Sequence, residues 1–195
     1  MTDKSAPSKD LDLLAAKLGV SSPASSVPAT RQPLDCGHFD LAIARDGTWF
    51  YRGSPIRRPA LVRLFSTVLK READGSYWLQ TPVERGRITV EDAPFVAVAV
   101  DRRGEGQQQE LIFRTNVDDT VAADAGHPLR VVNDPATAEP SPYILVRNGL
   151  EARLNRPVFY ELVAFGQEER VGDATLFGVW SKGLFFPLGR LDGVP

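Results

Sequence analysis

Covalent and metal-based chemistry have little to work with in this chain. Of its 195 residues one is cysteine, Cys36, and two are histidine, His38 and His127. A lone cysteine excludes an internal disulfide framework. Cys36-Gly37-His38 offers two ligand types, yet zinc takes four ligands at recognisable spacing, and adding His127 and a carboxylate follows no motif. Pairing Cys36 with His127 as nucleophile and base has no local signature either. Glycines are plentiful but build no phosphate loop. Gly104-x-Gly106 lies between two strands and not ahead of a helix, so it lacks the backbone donors of a helix N-terminus. No metal and no cofactor is expected.

An excess of one charge is also lacking. With 23 Lys and Arg against 25 Asp and Glu the net charge is −2, which argues against general binding to nucleic acid or a membrane surface. No apolar run approaches the roughly 18 residues of a spanning helix, and the longest, Phe95 to Val100, fits a buried strand. The N-terminus lacks the basic, apolar and small-residue order of a signal peptide. Forty-three per cent hydrophobic and 25% charged residues are ordinary for a globular protein. The expectation is a soluble, cytoplasmic, reduced protein.

What the chain does have is a repeated pattern. Ile43-Ala44-Arg45-Asp46-Gly47 is followed by Arg58-Pro59 and an apolar run. Leu145-Val146-Arg147-Asn148-Gly149 is likewise followed by Arg156-Pro157 and an apolar run. Asp-Gly and Asn-Gly between β-rich segments read as hairpin turns. A proline one residue into each apolar run opens a helix, because its missing N–H is not needed there. The first helix carries Leu61, Leu64, Phe65, Val68 and Leu69 on one stripe, with Asp74-Gly75 placed to break it. The second carries Val158, Phe159, Leu162 and Val163, with Gly166 placed to end it. Each copy closes on an aromatic strand, Tyr77-Trp78-Leu79 in one and Trp180 to Phe186 in the other. The spacing between turn and Arg-Pro differs by four residues, so this is structural kinship and not a tight repeat. The fold class read from it is α+β, a duplicated β-hairpin/helix/β core in two half-domains.

That pattern divides the chain into three segments. Residues 1–33 form a short amphipathic helix over Asp10–Leu18 and a Ser/Pro/Ala linker too polar to offset its ordering entropy. Residues 34–133 make an N-terminal α+β half-domain, and residues 134–195 a β-rich C-terminal half-domain with one helix. The junction is placed in the proline-rich stretch from Asn133 to Pro142.

Candidate polar groups gather in turns. Glu91-Asp92 and Asp118-Asp119 supply paired carboxylates for acid–base work, although adjacent strand residues face opposite ways. A strand end entering a turn, and a cap, explain the same residues without chemistry. Arg57, Arg58 and Arg156 stand at helix starts, where a cation is mildly unfavourable unless it meets an anion. Arg45 and Arg147 flank the hairpin turns, and Arg153 lies in a return strand.

The ordered series Val90-Glu91-Asp92-Ala93-Pro94-Phe95, Thr115-Asn116-Val117-Asp118-Asp119, His127-Pro128-Leu129-Arg130, Arg147-Asn148-Gly149-Leu150-Glu151-Ala152-Arg153 and Trp180-Ser181-Lys182-Gly183-Leu184-Phe185-Phe186 resembles the bacterial family called domain of unknown function 1285. The likeness runs from about Leu34 to Leu191. It implies a two-domain fold with a C-terminal half superficially like a pleckstrin-homology barrel. It also implies a ligand site between the halves, for a nucleotide-like molecule, and a link to signal transduction. The expected function is therefore that of a non-enzymatic ligand-binding protein. Its site would use Glu91, Asp92, Asn116, His127, Arg147 and Arg153, the arginines meeting anionic groups and the others orienting the ligand. The alternatives are a protein-interaction adaptor, with a protein as partner, and a hydrolase or transferase using Glu91 or Asp92 with His127.

Overall fold

A computed structural model describes residues 32–191, apart from Ala136 and Ala138, together with Leu11, Ala15 and Ala16. Those three are helical, and Leu11 and Ala15, one turn apart, are both buried. The other residues of the helix expected over Asp10–Leu18, and most of the linker, lie outside the described residues. The described chain is α+β, and it divides into two compact units, Met1–Asp92 and Ala93–Pro195.

The first unit is one mixed sheet with a helix on it. Its elements are β1 (Leu34–Ile43), β2 (Trp49–Tyr51), β3 (Ser54–Pro55), α1 (Pro59–Thr67), β4 (Leu69–Arg71), β5 (Tyr77–Gln80) and β6 (Glu84–Val90). The strand order is β3-β2-β1-β6-β5-β4. The expected hairpin is β1–β2, closed through Gly47 at φ 83. The central pairing, β1 with β6, is parallel. Leu41, Ile43, Trp49, Leu79 and Ile88 line the buried side of the sheet with Leu61 and Phe65 of α1, whose ring stacks on Trp49 at 6.2 Å between centroids.

One local expectation changes here. The stripe through Val68 and Leu69 suits a longer helix, but α1 stops at Thr67 and Leu69 opens β4. Leu69 stays buried by pairing with Leu79 across a hairpin, so one apolar residue satisfies either pattern. Asp74-Gly75 is then the turn of that β4–β5 hairpin and not a helix breaker.

The second unit holds two sheets and one helix. Its elements are β7 (Phe95–Arg103), β8 (Glu110–Thr115), β9 (Thr120–Ala122), β10 (Leu129–Asn133), β11 (Pro140–Arg147), β12 (Leu150–Leu154), α2 (Arg156–Ala164), β13 (Gln167–Val171), β14 (Ala174–Ser181) and β15 (Leu184–Arg190). A six-stranded sheet runs β10-β11-β12-β7-β8-β9, and a three-stranded one runs β13-β14-β15. Phe95, Ala97, Leu111, Phe113, Ile144, Leu150 and Leu162 are its most buried apolar residues.

The hairpin–helix pattern is present in both units. Asn148 and Gly149 take φ 45 and φ 75 in the β11–β12 turn, as the sequence leads one to expect. Each helix has nine residues and a proline in its first turn. Beyond their helices the two units diverge. After α1 the chain returns to the same sheet, whereas after α2 it builds the separate three-stranded sheet.

The division of the chain also differs from the sequence reading. Residues 93–133 belong with the second unit, because β7 pairs in parallel with β12 and β10 pairs with β11. The proline-rich stretch after Asn133 is a connection inside one sheet. Its prolines are tolerated because it leads into a strand start and not a strand centre.

Candidate functional site

The six residues expected from sequence are dispersed among local partners. Glu91 and Asp92 lie in the first unit, immediately after β6, and both turn to Arg45 in the β1–β2 loop. The Arg45 N–H donates to Glu91 Oε2 at 2.8 Å, and its side-chain Nε stands 3.3 Å from Asp92. The hairpin-turn arginine thus meets a carboxylate pair, but within its own unit.

The other four lie in the second unit. Asn116 completes the edge of β7: its N–H donates to Val96 O at 2.8 Å, and its side-chain oxygen accepts from the Val96 N–H at 3.0 Å. Arg147 pairs with Asp119 in the neighbouring turn, and its guanidinium lies 4.8 Å from the centre of the Phe95 ring. Arg153 reaches Ser141 Oγ at 3.4 Å. His127 Nδ1 lies 3.1 Å from Asp124. Among the described residues no serine, threonine or cysteine hydrogen-bonds the His127 ring, so the Asp124–His127 pair lacks a nucleophile to activate.

Asp124 instead belongs to a clamp that ties the β14–β15 turn to the six-stranded sheet. Lys182 in that turn reaches Asp124 at 3.2 Å and Glu110 at 3.1 Å. Its N–H donates to Gln109 O, and the buried Ser181 hydroxyl accepts from the Leu111 N–H while donating to Ala123 O. Partial burial pushes the Asp124 carboxyl up. Hydrogen bonds from His127, Lys182 and the Gly126 N–H outweigh that and hold it below the ordinary value of 3.8. Lys182 is held above 10.5 chiefly by its hydrogen bonds to Glu110 and Asp124.

A concave surface lies elsewhere, in the first unit. A cleft of about 440 Å³ is lined by His38 of β1, Ser76 and Tyr77 at the start of β5, and Arg87, Thr89 and Val90 of β6. That volume falls within the range of small-ligand pockets. The cleft sits against the sheet face turned away from α1. Strand register explains its polar lining. Lys70 pairs with Trp78, Trp78 with Arg87, and Arg87 with His38, which sets the four in one row across β4, β5, β6 and β1. Directly paired residues share a face, so this row is the polar counterpart of the buried Leu69 and Leu79.

The lining is held in place by its neighbours. The Trp78 indole N–H donates to Ser76 Oγ at 2.8 Å, and the Ser76 hydroxyl donates to Asp74 at 2.6 Å. The Arg85 guanidinium covers the Trp78 ring at 4.0 Å from its centre, itself between Asp35 and Glu72. His38 Nε2 and Thr89 Oγ1 are 3.3 Å apart. Arg87 is exposed, and no ion-pair partner lies within bonding distance of it among the described residues. The arrangement offers a guanidinium, an imidazole and a hydroxyl to a ligand.

None of these residues was singled out as a ligand group from sequence. Alternation of Leu69, Lys70, Trp78, Leu79, Arg87 and Ile88 marks an outward face, but which strands adjoin is a long-range fact. Among the described residues no group of three or more His, Cys, Asp and Glu is placed to hold a metal ion, and no helix is long and apolar enough to cross a membrane.

Comparison with known proteins gives two family matches. Residues 29–93 match the domain of unknown function (DUF1285), N-terminal domain, and residues 94–188 match the protein of unknown function (DUF1285), C-terminal domain. Their meeting point falls within a residue of the division between the two compact units. The chain is similar to the crystal structure of a DUF1285 family protein from Silicibacter pomeroyi DSS-3. The two are 48% identical with a TM-score of 0.80, over 92% of this chain and 96% of that one. It is also similar to the crystal structure of one from Shewanella baltica OS155, at 26% identity and a TM-score of 0.51, over 65% of this chain and 91% of that one. No curated protein matches it.

Proposed function

The chain belongs to the DUF1285 family, and on that footing we propose that it is a small-molecule-binding protein whose ligand carries an oxyanion. The cleft of the first unit carries this reading. It combines ligand-sized volume with Arg87, whose fork of N–H donors suits a carboxylate or phosphate. Its walls are pinned by the Trp78–Ser76–Asp74 hydrogen bonds, so little ordering cost is left for the ligand to meet. The lining holds no paired carboxylates, and binding without turnover accords with that. A chain that holds a ligand and does not consume it can report its presence, which is the part a signalling module plays. Nucleotide-like molecules fall within this class through their phosphates.

A thermal-shift screen of phosphate esters and carboxylates on the full chain tests the reading. A ligand at 100 times its Kd should stabilise the protein by about 2.7 kcal/mol, a rise of a few degrees in Tm. Arg87→Gln should abolish that rise. A rise that survives Arg87→Gln but vanishes in Arg153→Ala would instead return the site to the residues expected from sequence. If no compound moves Tm, the small-ligand reading gives way to the protein-interaction adaptor.

A further inference from the structure

We infer that the group taken by the cleft is a doubly charged tetrahedral oxyanion, as on a phosphate monoester, and that it binds together with a proton on His38. This rests on reading the cleft as an anion site. The argument is one of charge balance around two neighbouring strands.

Arg87 and His38 are directly paired across β6 and β1, so their side chains leave the same face about 5 Å apart at the backbone. Arg87 alone does not make the cleft positive. Asp74, in the β4–β5 turn, interacts with it electrostatically. The Ser76 hydroxyl and then the Ser76 N–H hold Asp74 below the ordinary carboxylate range, so it remains an anion near neutrality. With Asp74 set against Arg87, the group whose charge can change is the imidazole.

The other charged groups around His38 are already matched. On β1 itself Asp35 meets Arg85 of β6 at 3.5 Å, and Asp40 meets Arg52 after β2 at 3.5 Å. Arg85 is also 3.6 Å from Glu72, at the end of β4. Lys70 of β4 stands at the far end of the row, beyond Trp78. Histidine is the side chain whose ordinary titration falls between pH 5 and 8. Protonated, His38 would place a second cation beside Arg87, and a dianion offsets two cations where a carboxylate offsets one. The Thr89 hydroxyl at 3.3 Å accepts from one imidazole nitrogen and leaves the other for the ligand.

The coupling has a sign. A bound anion favours the imidazolium, so capture takes up a proton and weakens as pH rises through the range in which free histidine titrates. Sulfate is the probe, because its own charge is constant across that range. Titration of the full chain followed by the imidazole proton resonances should show sulfate binding about tenfold tighter near pH 5.5 than near pH 7.5. Acetate should bind more weakly than sulfate at the lower pH. His38→Gln, at an exposed position, should leave weak binding that no longer depends on pH, whereas His127→Gln in the other unit should keep the dependence. Inorganic phosphate should follow sulfate once its own titration is allowed for. Binding that is insensitive to pH, or whose pH dependence survives His38→Gln, overturns the inference and leaves the anion cleft standing. Absence of sulfate binding at both pH values overturns the cleft reading and this inference with it.

Discussion

At the scale of single residues the fold depends on close approaches that sequence pattern does not announce. Gly86, in the middle of β6, is one. A Cβ there would lie 2.5 Å from the Phe39 ring, well inside van der Waals contact, and a ring offers no flexible end to swing away. Gly86→Ala should therefore destabilise the protein by about 1–3 kcal/mol in urea unfolding. Combined with Phe39→Ala it should cost less than the two single changes together, since the clash is gone. The clamp around Asp124 gives a second prediction, read through pH. The folded-state value of Asp124 is depressed below 3.8, so its contribution is present above that pH and is lost as pH falls through the lower value. Lys182 is raised above 10.5, so its contribution is present below that pH and is lost as pH rises through the higher value. Asp124→Asn should flatten the acid limb of the stability curve and Lys182→Met the alkaline limb. Urea midpoints measured across pH would check both. Neither effect could be anticipated from sequence, because Asp124 and Lys182 are brought together only by the docking of the β14–β15 turn.

At the scale of elements much was legible. Asn148-Gly149, Asp46-Gly47 and the two Arg-Pro dipeptides marked hairpins and helix starts from strictly local chemistry, and all four are found where expected. The two helices nevertheless start differently. Asn155 caps α2, its side chain accepting from the Val158 N–H at 2.9 Å, while Arg58 at the same position of α1 makes no such bond. Asn155→Ala should lower stability by about 1 kcal/mol, measurable as a drop in Tm. Where the local signal was ambiguous, at Val68 and Leu69, strand pairing decided the outcome. An apolar residue after a helical stripe fits the helix or the next strand equally well, and only the partner Leu79 selects between them. The cleft fell into the same gap. Lys70, Trp78, Arg87 and His38 are far apart in sequence and ordinary in type, and nothing but the order β4-β5-β6-β1 makes them a row.

At the scale of the whole molecule the chain comprises two units that meet in sequence at Asp92 and Ala93, not at the prolines after Asn133. Each unit owns its sheets and its helix, so residues 1–92 and 93–195 produced as separate chains should each unfold cooperatively. Cutting at 133 removes β11 and β12 from the sheet that β7 and β10 need, and residues 1–133 should carry a disordered tail. Amide spectra of the four fragments would decide the matter. Proline content misled at this scale because it marks a break in backbone pairing, which can lie inside a sheet as well as between domains. The parallel pairings set a schedule for synthesis. Leu34 cannot find its partner until Glu84 exists, and Phe95 must wait for Ala152. As the chain leaves the ribosome, the first unit can close before most of the second has been made. The early strand β7, apolar over Phe95-Val96-Ala97, then spends the longest time unpaired, and it is the segment that a nascent-chain chaperone would be expected to shield.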